Sequence, residues 1–397
     1  MFFSFTLSKS LISISFAGIC LIGLLDFFNV KLTLKEKWFS SLFILFYGFI
    51  FLSYFNSEDT EEATRKLILK LPILFFPLVL FAVKNIAELT KFRAILALNY
   101  AFFVPGFISV YNYLINKQLF DQLILESKPL PIEFGYGIYH IQFSILMAIA
   151  VLLGVFLFFE TLKKRKLNWI GYGLIFLVIC NFIFIHILSA RTGLLALYIG
   201  LSFFVAQAFT IIQLKQRLIL TFFVFLIPIV LFVFSSSLQN RVKNSVEDFK
   251  VVWNNANAND YSFAMRVKAW KNGISVIGSN FFFGTGIGDA DKVLEQNFEK
   301  VDASILPQNR RNPHFQTLET WVQSGVFAAL MFVCIWVFSF FRFKEKYNWH
   351  FLALVSLLFV ASCFESILER QVSVIAFSFF IAFVLVKIPK IETHDSH

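Results

Sequence analysis

Residues 138–159 read IYHIQFSILMAIAVLLGVFLFF and contain no Asp, Glu, Lys or Arg. The run matches the roughly 20 apolar residues that a helix needs to cross a hydrocarbon layer about 30 Å thick. Similar runs recur along the chain, which is 58% hydrophobic and 15% charged, whereas soluble domains average about 45–50% and about 25%. This composition excludes a soluble globular protein. The 56 Phe residues also suit a surface that faces lipid.

The apolar runs predict an all-α fold, a polytopic transmembrane helix bundle of about 11 spans, within a range of about 10 to 12. The spans are expected to be helices because backbone polar groups cannot go unpaired in lipid, and the sequence lacks the alternating pattern of a barrel. The predicted spans are 7–28, 40–55, 68–83, 94–115, 138–159, 169–189, 191–211, 218–236, 314–341, 351–364 and 371–387. No small-residue cleavage site follows the first run, so we interpret it as a retained helix.

The short loops that are rich in Lys and Arg fall on one side of the membrane if all of these spans are counted. Their basic residues are Lys31, Lys35 and Lys37; Lys163, Lys164, Arg165 and Lys166; Lys215 and Arg217; and Arg342, Lys344 and Lys346. The positive-inside rule assigns this side, with the tail 388–397, to the cytoplasm. The acidic segment 56–66, the N-terminus and a large loop at 237–313, between spans 8 and 9, are then expected outside. We treat 1–397 as one integral membrane domain.

The formal net charge of +10 is explained by these cytoplasmic loops, and we expect no nucleic-acid partner. The large outer loop, 237–313, is nearly neutral, with ten Lys or Arg and eight Asp or Glu. Apolar residues at i, i+4, i+7, i+11 and i+14 predict an amphipathic helix within it. These residues are Phe263, Val267, Trp270, Ile274 and Ile277.

Arg266 lies beside this apolar stripe, and two interpretations stay open. It is either a solvated residue on a helix that rests on the membrane or a cation that faces an anionic ligand. A glycine-rich segment, FGTGIGD at 283–289, follows the predicted helix. Its glycines permit tight turns and close backbone approach, but no strand–turn–helix unit that would indicate dinucleotide binding surrounds them.

His314 follows Asn312 and Pro313 at the end of the large loop. Asn is a favoured N-cap and Pro a favoured first helical residue, so we predict that His314 lies in the first turn of the ninth span. The helix dipole would disfavour an imidazolium there, and a neutral imidazole can accept a proton as a general base. The alternative is an interfacial histidine that is hydrogen-bonded to water.

Arg191 joins two apolar runs almost without a loop, which places it at the outer membrane boundary or just inside it. An arginine at the bilayer centre costs about 2.5–3.5 kcal/mol on insertion scales, and less near the edge. One interpretation is a side chain that snorkels to the headgroups. The other is a guanidinium held for bidentate binding of phosphate oxygens.

The last two spans are joined by ESILER at 365–370, which predicts the tip of a tight outer hairpin. Glu365, Glu369 and Arg370 either pair with one another, as we favour, or orient the arginines of a site. His140, at the outer start of the fifth span, is interpreted as a packed or hydrogen-bonded histidine. The sequence shows no spacing typical of metal ligands at the outer ends of the spans, so we expect neither a metal nor a cofactor.

Several motifs around the large loop together resemble the O-antigen ligase/polymerase family of bacterial inner-membrane glycosyltransferases. They are SARTG at 189–193, RVKAW at 266–270, NFFFGTGIG at 280–288, HFQTLE at 314–319 and SGV at 324–326. The resemblance covers roughly residues 170–340 and rests on the order of the motifs, because no single motif is specific. Phe315 stands where the family usually has Asn, which removes one polar neighbour of His314.

The resemblance implies a metal-independent enzyme of the bacterial inner membrane whose active site faces the periplasm. Such an enzyme, in lipopolysaccharide biosynthesis, transfers a glycan from an undecaprenyl diphosphate carrier to a sugar hydroxyl of lipid A core or of a growing glycan. Arg191 and Arg266 are expected to bind the diphosphate, and His314 to take the proton from the acceptor hydroxyl. Supporting roles are expected from Trp270, Glu319, Glu365, Glu369, Arg370 and His140.

Other functions stay open beside this one. We favour a ligase over a polymerase of the same family, and a ligase that glycosylates proteins is a third option. A polysaccharide flippase or transporter is the candidate from another class, although the sequence shows no internal repeat of the kind that many transporters contain. A structural membrane protein without chemistry is the remaining alternative.

Overall fold

The computed structural model describes residues 1–126, 128, 130–132, 134–163, 169–188, 190–211, 213–254, 257–259, 261–310, 312–341 and 349–386. All regular secondary structure in these residues is helical, which confirms the predicted all-α polytopic bundle. Several residues named above lie outside the described residues: Lys164, Arg165, Lys166, Ser189, Arg342, Lys344, Lys346 and the tail 388–397; so do Asp260 and Arg311, two of the charged residues counted in the large loop.

The helices are numbered in chain order. They are α1 (Ser4–Leu7), α2 (Lys9–Leu25), α3 (Leu34–Leu52), α4 (Thr60–Leu74), α5 (Phe76–Lys84), α6 (Glu88–Ile115), α7 (Lys117–Leu125), α8 (His140–Lys163), α9 (Trp169–Leu188), α10 (Arg191–Ile211), α11 (Leu214–Phe234), α12 (Ser236–Trp253), α13 (Ser262–Ser279), α14 (Ala290–Val301), α15 (Gln316–Phe341), α16 (Trp349–Phe364) and α17 (Gln371–Leu385).

Every predicted span overlaps one of these helices or the consecutive pair α4–α5. Among the described residues, six segments are long and apolar enough to cross a membrane. They are Leu34–Asn56, Thr60–Lys84, Thr90–Ile115, His140–Phe159, Trp169–Leu188 and Gln316–Phe341. The apolar helices Lys9–Leu25, Arg191–Ala206, His350–Phe364 and Gln371–Phe383 are shorter. The chain is a multi-pass membrane protein, and the total of about 11 spans stays a prediction.

Contacts between distant helices identify the two ends of the bundle. At one end, Lys84 Nζ donates to Glu36 Oε2 and to the Lys31 carbonyl, both at 2.8 Å, which joins α5 to the start of α3. At the other end, the Ser53 and Ser324 hydroxyls are 2.9 Å apart, which joins the residues after α3 to α15. We call the second end the site face. Lys31, in a predicted cytoplasmic loop, therefore lies at the end opposite the site face.

Two predicted spans are broken in the structure. The span at 68–83 is divided at Phe75 between α4 and α5, with Pro72 inside the first helix and a proline in the first turn of the second. The span at 314–341 is divided at Gly325, whose φ is 78°. An added Cβ at Gly325 would lie 2.0 Å from the Phe282 carbonyl oxygen, so a segment of the large loop packs directly against the break.

The large loop is partly helical, as predicted, and consists of α12, α13, α14 and their connections. The amphipathic helix predicted from the apolar stripe is α13, but the stripe is not its buried face. The buried residues of α13 are Ala264, Met265, Ala269, Asn272, Gly273, Val276 and Ile277, of which only Ile277 belongs to the stripe, whereas Ile274 is 62% exposed. Ala264 and Ala269 pack in a cluster with Phe298 of α14, and Gly273 lets α13 approach Leu318 of α15 closely.

The predicted position of His314 inside a helix is wrong. Its φ is 50°, in the left-handed region, whereas a right-handed helix needs a negative φ. The helix begins at Gln316, and the Phe315 carbonyl accepts the first bond, from Glu319 N at 2.9 Å. Asn312 and Pro313 therefore precede the helix without capping it, and the dipole argument for a neutral imidazole does not apply.

Candidate active site

A cavity of about 670 Å³ opens at the site face and contains several of the predicted residues. The turn 365–370, the residues around the start of α8, the first half of α13 and the segment before α15 form its walls. It is lined by Glu126, Lys128, Tyr139, His140, Ile141, Asn259, Tyr261, Ser262, Met265, Arg266, Asn309, Asn312, His314, Glu365, Ser366, Glu369 and Arg370. Its volume lies within the range of about 300–1,000 Å³ that small-molecule sites occupy.

Glu365 connects the two most polar walls of this cavity. Arg266 Nη2 donates to Glu365 Oε1 at 2.5 Å, and His314 Nδ1 lies 3.2 Å from Glu365 Oε2. Burial raises the pKa of Glu365, but the hydrogen bond from His314 and the charge of Arg266 outweigh it, so the pKa lies below its usual value. Because Glu365 is ionised, Nδ1 of His314 donates to it, and Nε2 is the ring nitrogen left for another partner.

His314 is held in a strained backbone conformation. It is the one non-glycine residue with a positive φ among the residues that the structure describes, and such a conformation costs about 1–3 kcal/mol. The neighbouring Pro313 packs on α13 at Gly273, where an added Cβ would lie 3.2 Å from Pro313 Cγ. The contacts of Pro313 and Glu365 therefore aim the imidazole into the cavity.

Arg191 begins α10 and is fixed by a second buried carboxylate. Its Nη1 donates to Asp248 Oδ2 at 2.5 Å, and Asp248 Oδ1 accepts from Phe263 N, at the start of α13, at 3.2 Å. Asp248 is 0% exposed. The pair therefore ties α10 to α12 and α13.

Arg191 and Arg266 both line a smaller cavity of about 150 Å³ beside the main one. Apolar side chains form most of its wall: Leu195, Phe249, Phe263 and Phe364. Arg266 lines both cavities, so the structure places Arg191 and His314 at two neighbouring cavities that share the Arg266 side chain.

Four of the expected supporting residues line the main cavity: Glu365, described above, Glu369, Arg370 and His140. Glu369 accepts a hydrogen bond from Lys70 Nζ, and Arg370 stacks on the Tyr139 ring, 4.1 Å from Cζ to the ring centroid. His140 lies in the same wall. The favoured interpretation of the turn, in which its charged residues pair with one another, is wrong, because the carboxylates take partners from other elements.

Two expected supporting residues do not line the cavity. Glu319 is fully buried in α15, where it accepts from Gln323 Nε2 at 2.9 Å and from Ser366 Oγ at 3.3 Å. Trp270 packs edge-on against Phe315, 6.5 Å between ring centroids. Both support the walls of the site from behind.

Three charged residues near the site were not singled out from the sequence. Lys70 is 1% exposed and lies inside a predicted span, and an ionisable residue in such a run is a signal of function. Asp248 and Arg241 lie in α12 among other charges of the large loop. Their importance depends on contacts with distant elements, which no local pattern shows.

Comparison with protein families identifies the segment that contains these arginines. Residues 176–333 match the family model described as O-antigen ligase. This segment is similar to the O-antigen ligase family. The match and the apolar helices together indicate a multi-pass membrane protein, and the matched family suggests a glycosyltransferase-like function. A comparison with curated proteins found no match.

The O-antigen ligase match covers less than half of the chain, from α9 to the first part of α15. It includes Arg191, Arg266 and His314, whereas His140 and Glu365 lie outside it. The carboxylate that joins the histidine to an arginine is therefore supplied by the turn between α16 and α17. In the part of the chain that the structure describes, no three His, Cys, Asp or Glu side chains gather as metal ligands would.

Proposed function

We propose that the chain transfers a glycan from a polyprenyl diphosphate carrier to a hydroxyl of an acceptor sugar. The observation that supports this most is the shared carboxylate of Glu365, which bonds Arg266 and His314 in the wall of one cavity. An anion-binding cation and a histidine with a free nitrogen are the two groups that such a transfer needs.

The reaction is a substitution at the anomeric carbon of the donor sugar. The acceptor hydroxyl oxygen forms a bond to that carbon, the bond from carbon to the diphosphate oxygen breaks, and its electron pair stays on the diphosphate. His314 Nε2 takes the hydroxyl proton as the bond forms. The imidazolium that results is stabilised by Glu365, which also fixes the orientation of the ring.

Arg191 and Arg266 bind the diphosphate and stabilise the charge that grows on it as it leaves. Guanidinium groups suit this role because each is planar and can donate two parallel hydrogen bonds to a pair of phosphate oxygens. Each arginine is held in place by a buried carboxylate, so little reorganisation is needed when the donor binds.

The smaller cavity suits the first part of the polyprenyl tail, because its walls are largely apolar and two arginines lie at its edge. The donor sugar would then extend past Arg266 into the main cavity, next to His314. The acceptor would enter the main cavity from the other wall, where Tyr139 and Arg370 lie.

Reconstitution in liposomes tests transfer against transport. The purified chain is given a lipid-linked glycan and an acceptor saccharide, and both the product and the side of the bilayer on which the donor is exposed are measured. We expect product from the wild type and none from His314→Ala. Movement of the donor across the bilayer without product would instead indicate a flippase.

We further propose that the acceptor is lipid A core and that the donor carrier is undecaprenyl diphosphate, which makes the chain an O-antigen ligase. A deletion strain distinguishes the family members. A ligase deletion leaves lipopolysaccharide without polymer while carrier-linked polymer accumulates, whereas a polymerase deletion leaves single repeat units on the core.

The location that we propose is the inner membrane, with the site face in the periplasm. The basic residues Lys31, Lys35 and Lys37 near the opposite end support this orientation. In a chain without native cysteines, a thiol reagent that cannot cross the inner membrane should label Lys271→Cys in intact cells but not Lys35→Cys. The reverse pattern would invert the orientation.

A further inference from the structure

Arg241 lies in α12 about two turns before Asp248, on the same side of the site as Arg191. Its Nη2 donates to the Lys128 carbonyl at 3.0 Å, and its Nε is buried without a hydrogen-bond partner. In the described part of the chain, no carboxylate forms an ion pair with it. A buried guanidinium group with an unsatisfied N–H is rare in native proteins.

The neighbouring Arg191 also has a nitrogen without a hydrogen-bond partner. Its Nη1 is bonded to Asp248, but its Nη2 is buried and has no partner. Asp248 is shared, because it also accepts from the backbone of Phe263 at the start of α13. Both oxygens of Asp248 are therefore already engaged, one by Arg191 and the other by the backbone of α13.

The two arginines repel each other. Burial, and to a smaller extent the charge of Arg191, lower the pKa of Arg241 to about 10. Like charges brought together away from water destabilise a fold unless an opposite charge joins them. Such a cost is retained at positions where a ligand supplies the missing charge.

We propose that Arg241 and Arg191 together form the binding site for a diphosphate group, with Arg241 as a third cation beside Arg191 and Arg266. This proposal rests on the proposed function, and it adds a residue that binds the carrier. A diphosphate diester is doubly charged and presents oxygens in pairs, so it can satisfy both unpartnered N–H groups and remove the repulsion. The phosphate of a phospholipid headgroup shares part of this chemistry.

The test measures thermal unfolding of the full chain in detergent, with increasing inorganic diphosphate. For the wild type, diphosphate should raise the Tm until the site is saturated. In Arg241→Gln, the Tm without ligand should stay equal or rise because the repulsion is gone, and the apparent Kd should rise about tenfold or more. Arg241→Lys keeps the charge but loses the planar guanidinium group, so its apparent Kd should lie between those of the wild type and Arg241→Gln.

Lys243→Gln is the matched control, because Lys243 is an exposed cation on the same helix. It should match the wild type in both Tm and Kd. An unchanged Kd in Arg241→Gln overturns the proposal, whatever happens to the Tm. A lower Tm together with an unchanged Kd would show that Arg241 serves only to bond the Lys128 carbonyl.

A second arm identifies the source of the phosphate. Dihexanoyl phosphatidylglycerol, a short-chain lipid with one phosphate, should stabilise the wild type more weakly than diphosphate and independently of Arg241. If diphosphate and the short-chain lipid stabilised the protein equally, the site would bind a phospholipid headgroup, and the proposal would be overturned. Diphosphate binding is measured without glycan transfer, so absence of transfer with normal binding rejects the proposed function alone.

Discussion

At the scale of single residues, two buried carboxylates organise the charges of the site. Asp248 binds Arg191 and the backbone N–H of Phe263 in the first turn of α13, and Glu365 binds Arg266 and His314. Each carboxylate therefore joins an arginine to a second element. Removal of either one would leave a buried guanidinium without its opposite charge, which is more costly than the loss of an exposed ion pair.

Glu365→Gln should reduce the rate of glycan transfer about 10- to 100-fold, because hydrogen bonds to charged groups contribute about 1.5–3 kcal/mol. The amide can still accept from His314, but it cannot balance Arg266 or the imidazolium that forms. The rate is measured with the reconstituted protein. Glu126→Gln is the control, since Glu126 lines the same cavity but pairs with Lys128. Equal losses in the two variants would contradict a special role of Glu365.

The same substitution predicts a pH dependence of stability. The pKa of Glu365 is lowered from its usual 4.5, so the ionised carboxylate stabilises the folded state above that pH. This contribution is lost as the pH falls through the pKa of the folded state. Gln resembles the protonated acid, so the wild type should be more stable than Glu365→Gln above pH 4.5, and the difference should shrink below it. Thermal unfolding of both proteins at several pH values measures this difference. A difference in stability that grows as the pH falls would contradict the ionised state of Glu365.

At the scale of elements, the break in α15 is the feature that positions the segment after α13. Thr285 N donates to the Val322 carbonyl at 2.8 Å, and Val326 N donates to the Phe281 carbonyl at 3.1 Å. The backbone groups that the break at Gly325 would leave unpaired are thus bonded by residues of the large loop. This arrangement fixes the loop to the bundle close to the start of α15, where His314 lies.

Gly325→Ala should destabilise the protein strongly. The backbone at Gly325, with φ 78° and ψ −178°, lies in a region that essentially only glycine adopts and that costs another residue about 1–3 kcal/mol. The Cβ of an Ala would also lie 2.0 Å from the Phe282 carbonyl oxygen, a backbone atom that cannot easily move. Thermal unfolding in detergent measures the effect. Gly278→Ala is the control, because Gly278 is helical and an added Cβ meets nothing within 4 Å, so it should be neutral or slightly stabilising. Similar stability of the two variants would contradict this account of the break.

At the scale of the whole molecule, a buried ion pair connects the first part of the bundle to the turn that carries Glu365. Lys70 of α4 donates to Glu369, and to Gln323 Oε1 at 3.1 Å. The turn is held further by Gln316, whose Oε1 accepts from Leu368 N at 2.7 Å. Elements far apart in sequence therefore determine where the carboxylate of the site lies.

A double-mutant cycle tests this connection. Lys70→Met or Glu369→Met alone should each destabilise the protein by about 3–5 kcal/mol, because each leaves a buried charge without its partner. The double variant, with two apolar side chains, should recover much of the loss. Additive losses, measured by thermal unfolding, would show that the two residues do not stabilise each other.

Much of the fold could be predicted from the sequence, because long uncharged runs have few structures open to them in lipid. The break at Gly325 could not, since other glycines, such as Gly48, lie inside unbroken helices. Arg266 and His314 were singled out from their local setting, and their expected roles came from the resemblance to the O-antigen ligase/polymerase family. Glu365 was expected to support the site, but its bonds to Arg266 and His314, and the bond of Asp248 to Arg191, depend on tertiary packing that no local pattern shows.

The central claim is that His314 accepts the acceptor's proton while the arginines hold the diphosphate. The most direct measurement is the single-turnover rate of transfer at saturating donor, for the wild type and His314→Ala, together with donor binding. The account predicts that the rate falls about 10²–10⁴-fold while donor binding is unchanged. An equal rate in the two proteins, with the donor bound, would contradict it.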